Sequence, residues 1–348
     1  MKKKLLFAGR ILLALFLLFF VISHLKIAAS TSPNWLIAFQ INCSFIFNKI
    51  FSLSLPFLLL LLSFIAVIEF LAVLRLWLLV NCCVRFSYFL SLRLTLIGAF
   101  FNNIFPSIIG GDVIKMLLSF KLFPEKKEPI AAAIFIDRFM GAGGCLFVLF
   151  ASSLFLLLHP RLKILAYIAA SLFILFISFF LVFFKKELLK KIFSDRLRFL
   201  PGFVFKLYNV LLFYKGRKKR LLAAFLISLM IHTILIIISY LTARFLGGKE
   251  TSLLNFFFLI PLANFISAMP ITFAGWGLRE FAYKELFSLA RLSPAISVSV
   301  SMITQILFTL ISLLGIFFYI SFPVRVNSGN TFEKQISGED NKKTPEGS

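Results

Sequence analysis

Acidic side chains are scarce in this chain, with 14 Asp and Glu among 348 residues, and charged residues of both signs make up only 15%. No stretch of about 100 residues is polar enough to fold as a separate soluble domain, which argues against a large cytosolic catalytic module within these residues. The 4 cysteines, Cys43, Cys82, Cys83 and Cys145, and the 3 histidines fall at no metal-ligand spacing. No zinc or haem site is therefore expected, and the cysteines read as packing residues. Also missing are a P-loop, a Gly-x-Ser-x-Gly elbow and the paired aspartates with which lipid phosphotransferases hold a metal ion. ATP-driven transport and metal-dependent lipid synthesis both lose support, and no cofactor is expected.

What fills the chain instead is apolar bulk: 60% hydrophobic residues and 48 phenylalanines, with a mean hydropathy of +0.99. Soluble domains are nearer about 45–50% apolar, so this is an integral membrane protein. The 37 Lys and Arg give a net charge of +23. In a membrane protein such an excess collects in cytoplasmic loops and against anionic lipid head groups, so no nucleic-acid partner is expected.

Lys2, Lys3, Lys4 and Arg10 precede an apolar run at 11–22, which reads either as a signal-peptide core or as a first membrane helix. Counted from Leu5 it is long enough to span if Arg10 snorkels, and no small-x-small cleavage site follows, which favours an uncleaved helix. Further runs at 53–80, 139–158, 164–184, 221–246 and 295–322 each approach or exceed the roughly 20 residues needed to cross the hydrocarbon core. Six full spans are thus expected. Residues 185–220 hold twelve Lys or Arg and two acids, which places that segment and the N-terminus in the cytoplasm. The turns at 159–163 and 247–252 then fall outside. Residues 199–213 are expected to lie along the inner surface as an interfacial helix. Residues 1–322 form one membrane domain, and 323–348 read as a disordered polar tail.

Two regions break this scheme. The first, 91–121, is interrupted at Asn102-Asn103-x-x-Pro106-x-x-x-Gly110-Gly111-Asp112, and the second, 252–289, at Pro270-x-x-x-x-Gly275-x-Gly277-x-Arg279-Glu280. In each, a short apolar helix reaches a Pro/Gly break and a second short helix leads away. Both are expected to be re-entrant hairpins, whose irregular backbone at depth must be buried in protein or line a cavity. Pro106 has Gly111 five residues on and Lys115 nine on; Pro270 has Gly275 and Arg279 at the same offsets. On the charge-derived map the hairpins enter from opposite sides, as an inverted repeat with broken helices would require.

A helix that restarts within the membrane points free amides and a positive dipole end at the break, which suits an anion. Lys115 and Arg279, about one turn into each restarted helix, would add full positive charge there. Gly110, Gly111, Gly275 and Gly277 permit close backbone approach by a ligand or, equally, tight turns and helix contacts. Asp112 and Glu280 have three open roles: pairing with Lys115 and Arg279, holding binding residues in place, or titrating as a proton-coupling pair. Asp137-Arg138 precede the run from Phe139, so they are expected at the cytoplasmic interface or just below it, where they could form an ion pair with the first hairpin. Glu69 and Arg75, six residues apart, cannot pair along one helix face and are expected to face the bundle interior. Trp77 reads as an interface anchor. His232 reads as a proton relay or as a histidine bonded to a neighbouring helix. Gly141, Gly143 and Gly144 form a small-residue patch for close helix packing.

Those two broken strings, with Arg75-x-Trp77 upstream and Asp137-Arg138 between them, resemble the flippase-like membrane domain of lysylphosphatidylglycerol synthases and its stand-alone relatives. The likeness in order and spacing covers roughly residues 5–322. In full-length members a cytosolic aminoacyltransferase makes the aminoacylated lipid and the membrane part moves it to the outer leaflet; these residues hold only the membrane part. The resemblance implies lipid translocation without synthesis and carries over no catalytic residue. Asp112 and Asp137 stand where Glu is more usual, which leaves the charge in place.

The expectation is therefore an all-α polytopic membrane protein with about six transmembrane helices and two re-entrant hairpins. It would move an anionic phospholipid or polyprenyl-phosphate lipid between leaflets of the plasma (inner) membrane. Asn102, Asn103, Pro106, Gly110, Gly111, Asp112, Lys115, Asp137, Arg138, Pro270, Gly275, Gly277, Arg279 and Glu280 would bind it, as a single chain, a homo-oligomer or a partner of a lipid-synthesis enzyme. Two rival readings are a glycosyl or aminoacyl transferase with Asp112, Asp137 or Glu280 as general base, and an accessory subunit of cell-envelope lipid synthesis.

Overall fold

A computed structural model of the protein describes residues 15–16, 19–20, 22–23, 35–105, 110–156, 163–184, 214–248, 251–269, 271–272 and 275–322. The described residues form helices and connecting turns, with no strand among them. In chain order the helices are α1 (Trp35–Phe51), α2 (Leu55–Val80), α3 (Tyr88–Ile104), α4 (Gly110–Leu122), α5 (Lys127–Leu156), α6 (Lys163–Phe184), α7 (Lys218–Phe245), α8 (Leu253–Ser267), α9 (Leu278–Ser288), α10 (Pro294–Ser312) and α11 (Leu314–Ile320).

Among the described residues, four stretches are long and apolar enough to cross a membrane: Leu55–Val80, Pro124–Phe155, Lys218–Phe245 and Pro294–Ile320. They match four of the six expected runs, and the fifth is α6, whose 22 residues reach about 33 Å at 1.5 Å per residue. The protein is an all-α, multi-pass membrane protein. The expected first span lies largely outside the described residues, as do the interfacial stretch 199–213, most of both external turns and the tail 323–348. Helix α1 was not anticipated, because Gln40, Asn42, Asn48 and Lys49 interrupt its hydropathy. Asn42 is fully buried and donates from Nδ2 to the Ile22 carbonyl at 2.7 Å.

Local sequence sets the ends. Ser87, Ser252 and Ser293 sit ahead of α3, α8 and α10, and each hydroxyl accepts a first-turn amide, satisfying donors that a helix start leaves open. Pro261 lies inside α8 and removes the amide that would have bonded the Phe257 carbonyl. Ser152 of α5 donates to that carbonyl at 3.0 Å instead, as apolar surroundings demand.

The expected hairpins are present as pairs of packed short helices. Helices α3 and α4 have 17 and 13 residues, and α8 and α9 have 15 and 11; at 1.5 Å per residue all fall short of a roughly 30 Å core. Each hairpin sits between two long helices, giving the order α2–(α3–α4)–α5 and again α7–(α8–α9)–α10. With α6 counted as a crossing, three crossings among the described residues lie between the two units, which sets the second opposite to the first.

Two apolar cores agree with that arrangement. One joins Leu76 and Leu79 of α2, Ile130 to Ile136 of α5, Ala224 of α7 and the first hairpin. The other joins Leu61 and Ile65 of α2, Leu146 and Leu149 of α5, Ile236 and Ala243 of α7 and the second hairpin. The hairpins thus pack at opposite ends of the long helices, the first at the end where α7 begins.

Asp137 and Arg138 lie within α5, which starts at Lys127, ten residues or about 15 Å of helix before Asp137. Hydropathy starts the run at Phe139 because it penalises the two charges, whereas in the fold each charge has a partner and the helix continues through them.

Candidate functional site

The tip of the first hairpin is held by side chains from two helices, α3 and α10. Asn102, at the end of α3, accepts the Gly111 amide of α4 on Oδ1 at 2.8 Å, so the restarted helix already has one of its open amides satisfied. Asn103 donates from Nδ2 to the Ser312 hydroxyl at 2.8 Å, and its Oδ1 accepts from Gln305 Nε2 at 3.3 Å; both partners belong to α10. A Cβ on Gly111 would overlap the Gly98 carbonyl, so backbone meets backbone between α3 and α4. Gly110 lies against the Phe105 ring. Pro106 lies outside the described residues.

Beneath this tip lies a network of buried charge. Asp112 pairs with Lys115 of its own helix at 3.3 Å and with Arg138 of α5, whose Nη2 donates to Oδ1 at 2.9 Å and whose Nε donates to Oδ2. The anticipated ion pair between Arg138 and the first hairpin is present. Lys115 is only 7% exposed at its side chain, behind Asp112, whereas Arg138 keeps 42% open. Of the two cations at this end, Arg138 is the accessible one.

Asp137 takes Arg75 of α2 in a two-pronged pair, Nε to Oδ1 at 2.7 Å and Nη2 to Oδ2 at 3.3 Å. Arg75 Nη1 donates to the Ser228 hydroxyl of α7 at 2.9 Å. One charge pair therefore ties α2, α5 and α7 together. The glycine patch on α5 performs its expected role: Gly141 leaves room for the Arg75 guanidinium, while Gly143 and Gly144 admit Phe176 of α6 and Ser228 of α7. His232 Nε2 lies 3.1 Å from the Gly141 carbonyl, the neighbouring-helix bond that was one of its two readings. Trp77 donates to the Phe86 carbonyl at 3.1 Å and closes the turn after α2.

The second tip differs in kind. Gly275 and Gly277 have φ of +80° and +77°, a conformation that side chains with a Cβ resist, and the turn they make launches α9. Glu280, 1% exposed, does not pair with Arg279. Its Oε2 accepts the Gly277 amide at 2.7 Å and its Oε1 accepts the Ser301 hydroxyl of α10 at 3.0 Å. Adjacent helix positions point to different sides, so Arg279 is directed away from that bond set. Its Nε is buried with no hydrogen-bond partner among the described residues, as is the hydroxyl of Thr272 in the same break. Pro270 lies outside the described residues.

Both tips meet α10. Ser301 bonds the second tip and Gln305 the first, and four residues of helix separate them by about 6 Å. The two breaks therefore converge near the middle of one long helix. Ser301, Gln305, Ser312, Ser228 and Thr272 were not singled out from the sequence. A signal existed in the run Ser297, Ser299, Ser301, Thr304, Gln305, which interrupts an otherwise apolar span with small polar groups.

The arrangement suits holding an anion at depth: one accessible cation at the first tip and, in the second break, a guanidinium donor and a buried hydroxyl that have no partner among the described residues. Among the described residues no group of His, Cys, Asp and Glu is placed to hold a metal ion. No curated protein and no solved structure matches the chain. The family model of the lysylphosphatidylglycerol synthase TM region matches residues 7–315, nearly the whole of the described fold, and the chain belongs to that family.

Proposed function

We propose that the protein moves an anionic lipid, a phospholipid or a polyprenyl-phosphate, between the two leaflets, with the head-group phosphate held where the hairpin tips converge. The observation that supports this reading is that Arg279 Nε and the Thr272 hydroxyl, both in the second break, are buried with no hydrogen-bond partner among the described residues. A buried donor without an acceptor is costly, and a phosphate oxygen would complete it by a charge-assisted bond. The membership in a family tied to lipid modification or flipping supports the substrate class.

Arg138 supplies a second cation at the first tip, and Lys115, locked behind Asp112, holds that tip in place. The opposed hairpins give the two-sided symmetry that alternating access around one site requires. The basic run at 185–220 supports a cytoplasmic N-terminus, and the expected setting is a bacterial plasma membrane. The transferase reading gains nothing from the geometry, because Asp112, Asp137 and Glu280 are each already engaged by cations or donors.

The test is transport of fluorescently tagged phosphatidylglycerol in vesicles carrying the purified protein, read as protection of the tag from an impermeant quencher. Wild type should exchange the lipid and Arg279→Ala should not, with Arg279→Lys between them. Equal exchange by Arg279→Ala with a normal elution profile would overturn the proposal.

A further inference from the structure

Lys115 holds the sequence position equivalent to Arg279, yet it is not placed to meet a ligand. Its stem lies in the gap left by Gly98 of α3, where a Cβ would overlap Lys115 Cε, and its ammonium is held against Asp112 at 3.3 Å. Asp112 takes Arg138 as well, and among the described residues it is the one acid in ion-pair contact with either cation. One carboxylate therefore answers two positive charges, and these three directly paired groups carry a surplus of one.

That surplus has an open face. Arg138 meets Asp112 side-on, donating from Nε and from Nη2, which uses two of the five guanidinium N–H groups. The end formed by Nη1 and the other Nη2 hydrogen has no hydrogen-bond partner among the described residues, and the side chain keeps 42% of its surface open. Two parallel donors at that end match two oxygens of a phosphate. Arg138 stands eleven residues on from Lys127, where α5 begins, which is about 16 Å of helix. Phe135, one turn earlier on the same helix, and Val113 and Leu117 on α4, the helix of Asp112, are large apolar side chains left exposed. A cation at membrane depth beside uncovered apolar surface fits a phosphate whose acyl tails stay in the bilayer.

We propose that Arg138 is a lateral docking site for the phosphate of an anionic lipid taken directly from the bilayer. Asp112 aims the free end of the guanidinium, and Lys115 offsets Asp112 so that the charge of Arg138 is left for the ligand. Asp112 and Lys115 are positioning residues, and neither touches the lipid. The inference rests on the lipid-translocation reading above and gives the first tip a step of its own, capture from the side, ahead of the Arg279 site at the second tip.

The experiment titrates phosphatidylglycerol against the full chain in detergent, with glycerol 3-phosphate as a phosphate without tails. Loss of one positive charge near a bound phosphate lowers affinity on the order of tenfold, so Lys115→Gln, which has no surplus, should bind that much more weakly than wild type. The double variant Asp112→Asn, Lys115→Gln has the surplus of one again and should return to wild-type affinity. Adding Arg138→Gln to that pair leaves no buried charge behind and should lose the binding once more. A Lys115 that only held the tip together would leave the double variant no better than Lys115→Gln, and that result would overturn the inference, as would a triple variant that binds like wild type. Where Lys115→Gln does not elute as folded protein, the double and triple variants decide between the same outcomes. Glycerol 3-phosphate should bind far more weakly than phosphatidylglycerol; equal binding would replace lateral lipid docking by a site for free phosphate. If all these variants bind alike while Arg279→Ala still abolishes lipid exchange, the second-tip site stands and only this inference falls. If phosphatidylglycerol binds wild type no better than phosphatidylcholine does, both readings fall.

Discussion

Replacing Asp137 by Asn removes one charge and leaves Arg75 buried among three helices with its guanidinium uncompensated. The pair is nearly dry, with side chains 10% and 7% exposed, and its shorter contact is 2.7 Å. At an effective dielectric constant of about 20, that separation corresponds to roughly 6 kcal/mol of attraction. The Ser228 hydroxyl remains as an acceptor of Arg75 Nη1, so the net loss should fall within the range of about 3–5 kcal/mol found when one partner of a buried pair is removed. For a chain of this size that is on the order of 10 °C in Tm, measured by the temperature dependence of the monodisperse peak in detergent. The double variant Arg75→Met, Asp137→Leu should recover most of the loss, because apolar replacements need no solvation and the same three helices still meet. An Asp137→Asn variant that melts with wild type, or a double variant no better than the worse single one, would refute the electrostatic clasp.

Two further outcomes follow from local geometry. Gly111→Ala should sharply reduce the yield of folded protein, because its Cβ would overlap the Gly98 carbonyl, whereas Gly216→Ala, which meets nothing within 4 Å, should leave yield unchanged. Burial pushes the Cys83 thiol, in the turn after α2, above its ordinary value. Its thiolate fraction at neutral pH is then below that of free cysteine, and alkylation followed by peptide mass spectrometry should stay slow until the pH is raised further than free cysteine requires.

The long runs and the two breaks were legible because each is written locally, as an apolar stretch of membrane length or as a Pro/Gly interruption. The ion pair from Arg138 to the first hairpin was foreseen from the sequence. The neighbouring pair was not, since hydropathy averages along the chain and cannot see that Asp137 is neutralised by Arg75, 62 positions away. The same blindness hid the asymmetry of the two tips. Lys115 and Arg279 hold equivalent sequence positions, yet one is locked by Asp112 and the other has a donor unmet. Glu280 resembles Asp112 in the sequence but engages its own helix start and Ser301 instead of a cation. These differences depend on which neighbouring helix supplies the next side chain.

The most direct measurement of the central claim is mass spectrometry of the lipids that stay with the protein through purification in mild detergent, wild type against Arg279→Ala. The expected result is one anionic or polyprenyl-phosphate species enriched on wild type and lost from the folded variant. The same bulk lipids on both, at equal abundance, would contradict an anion site at the second break.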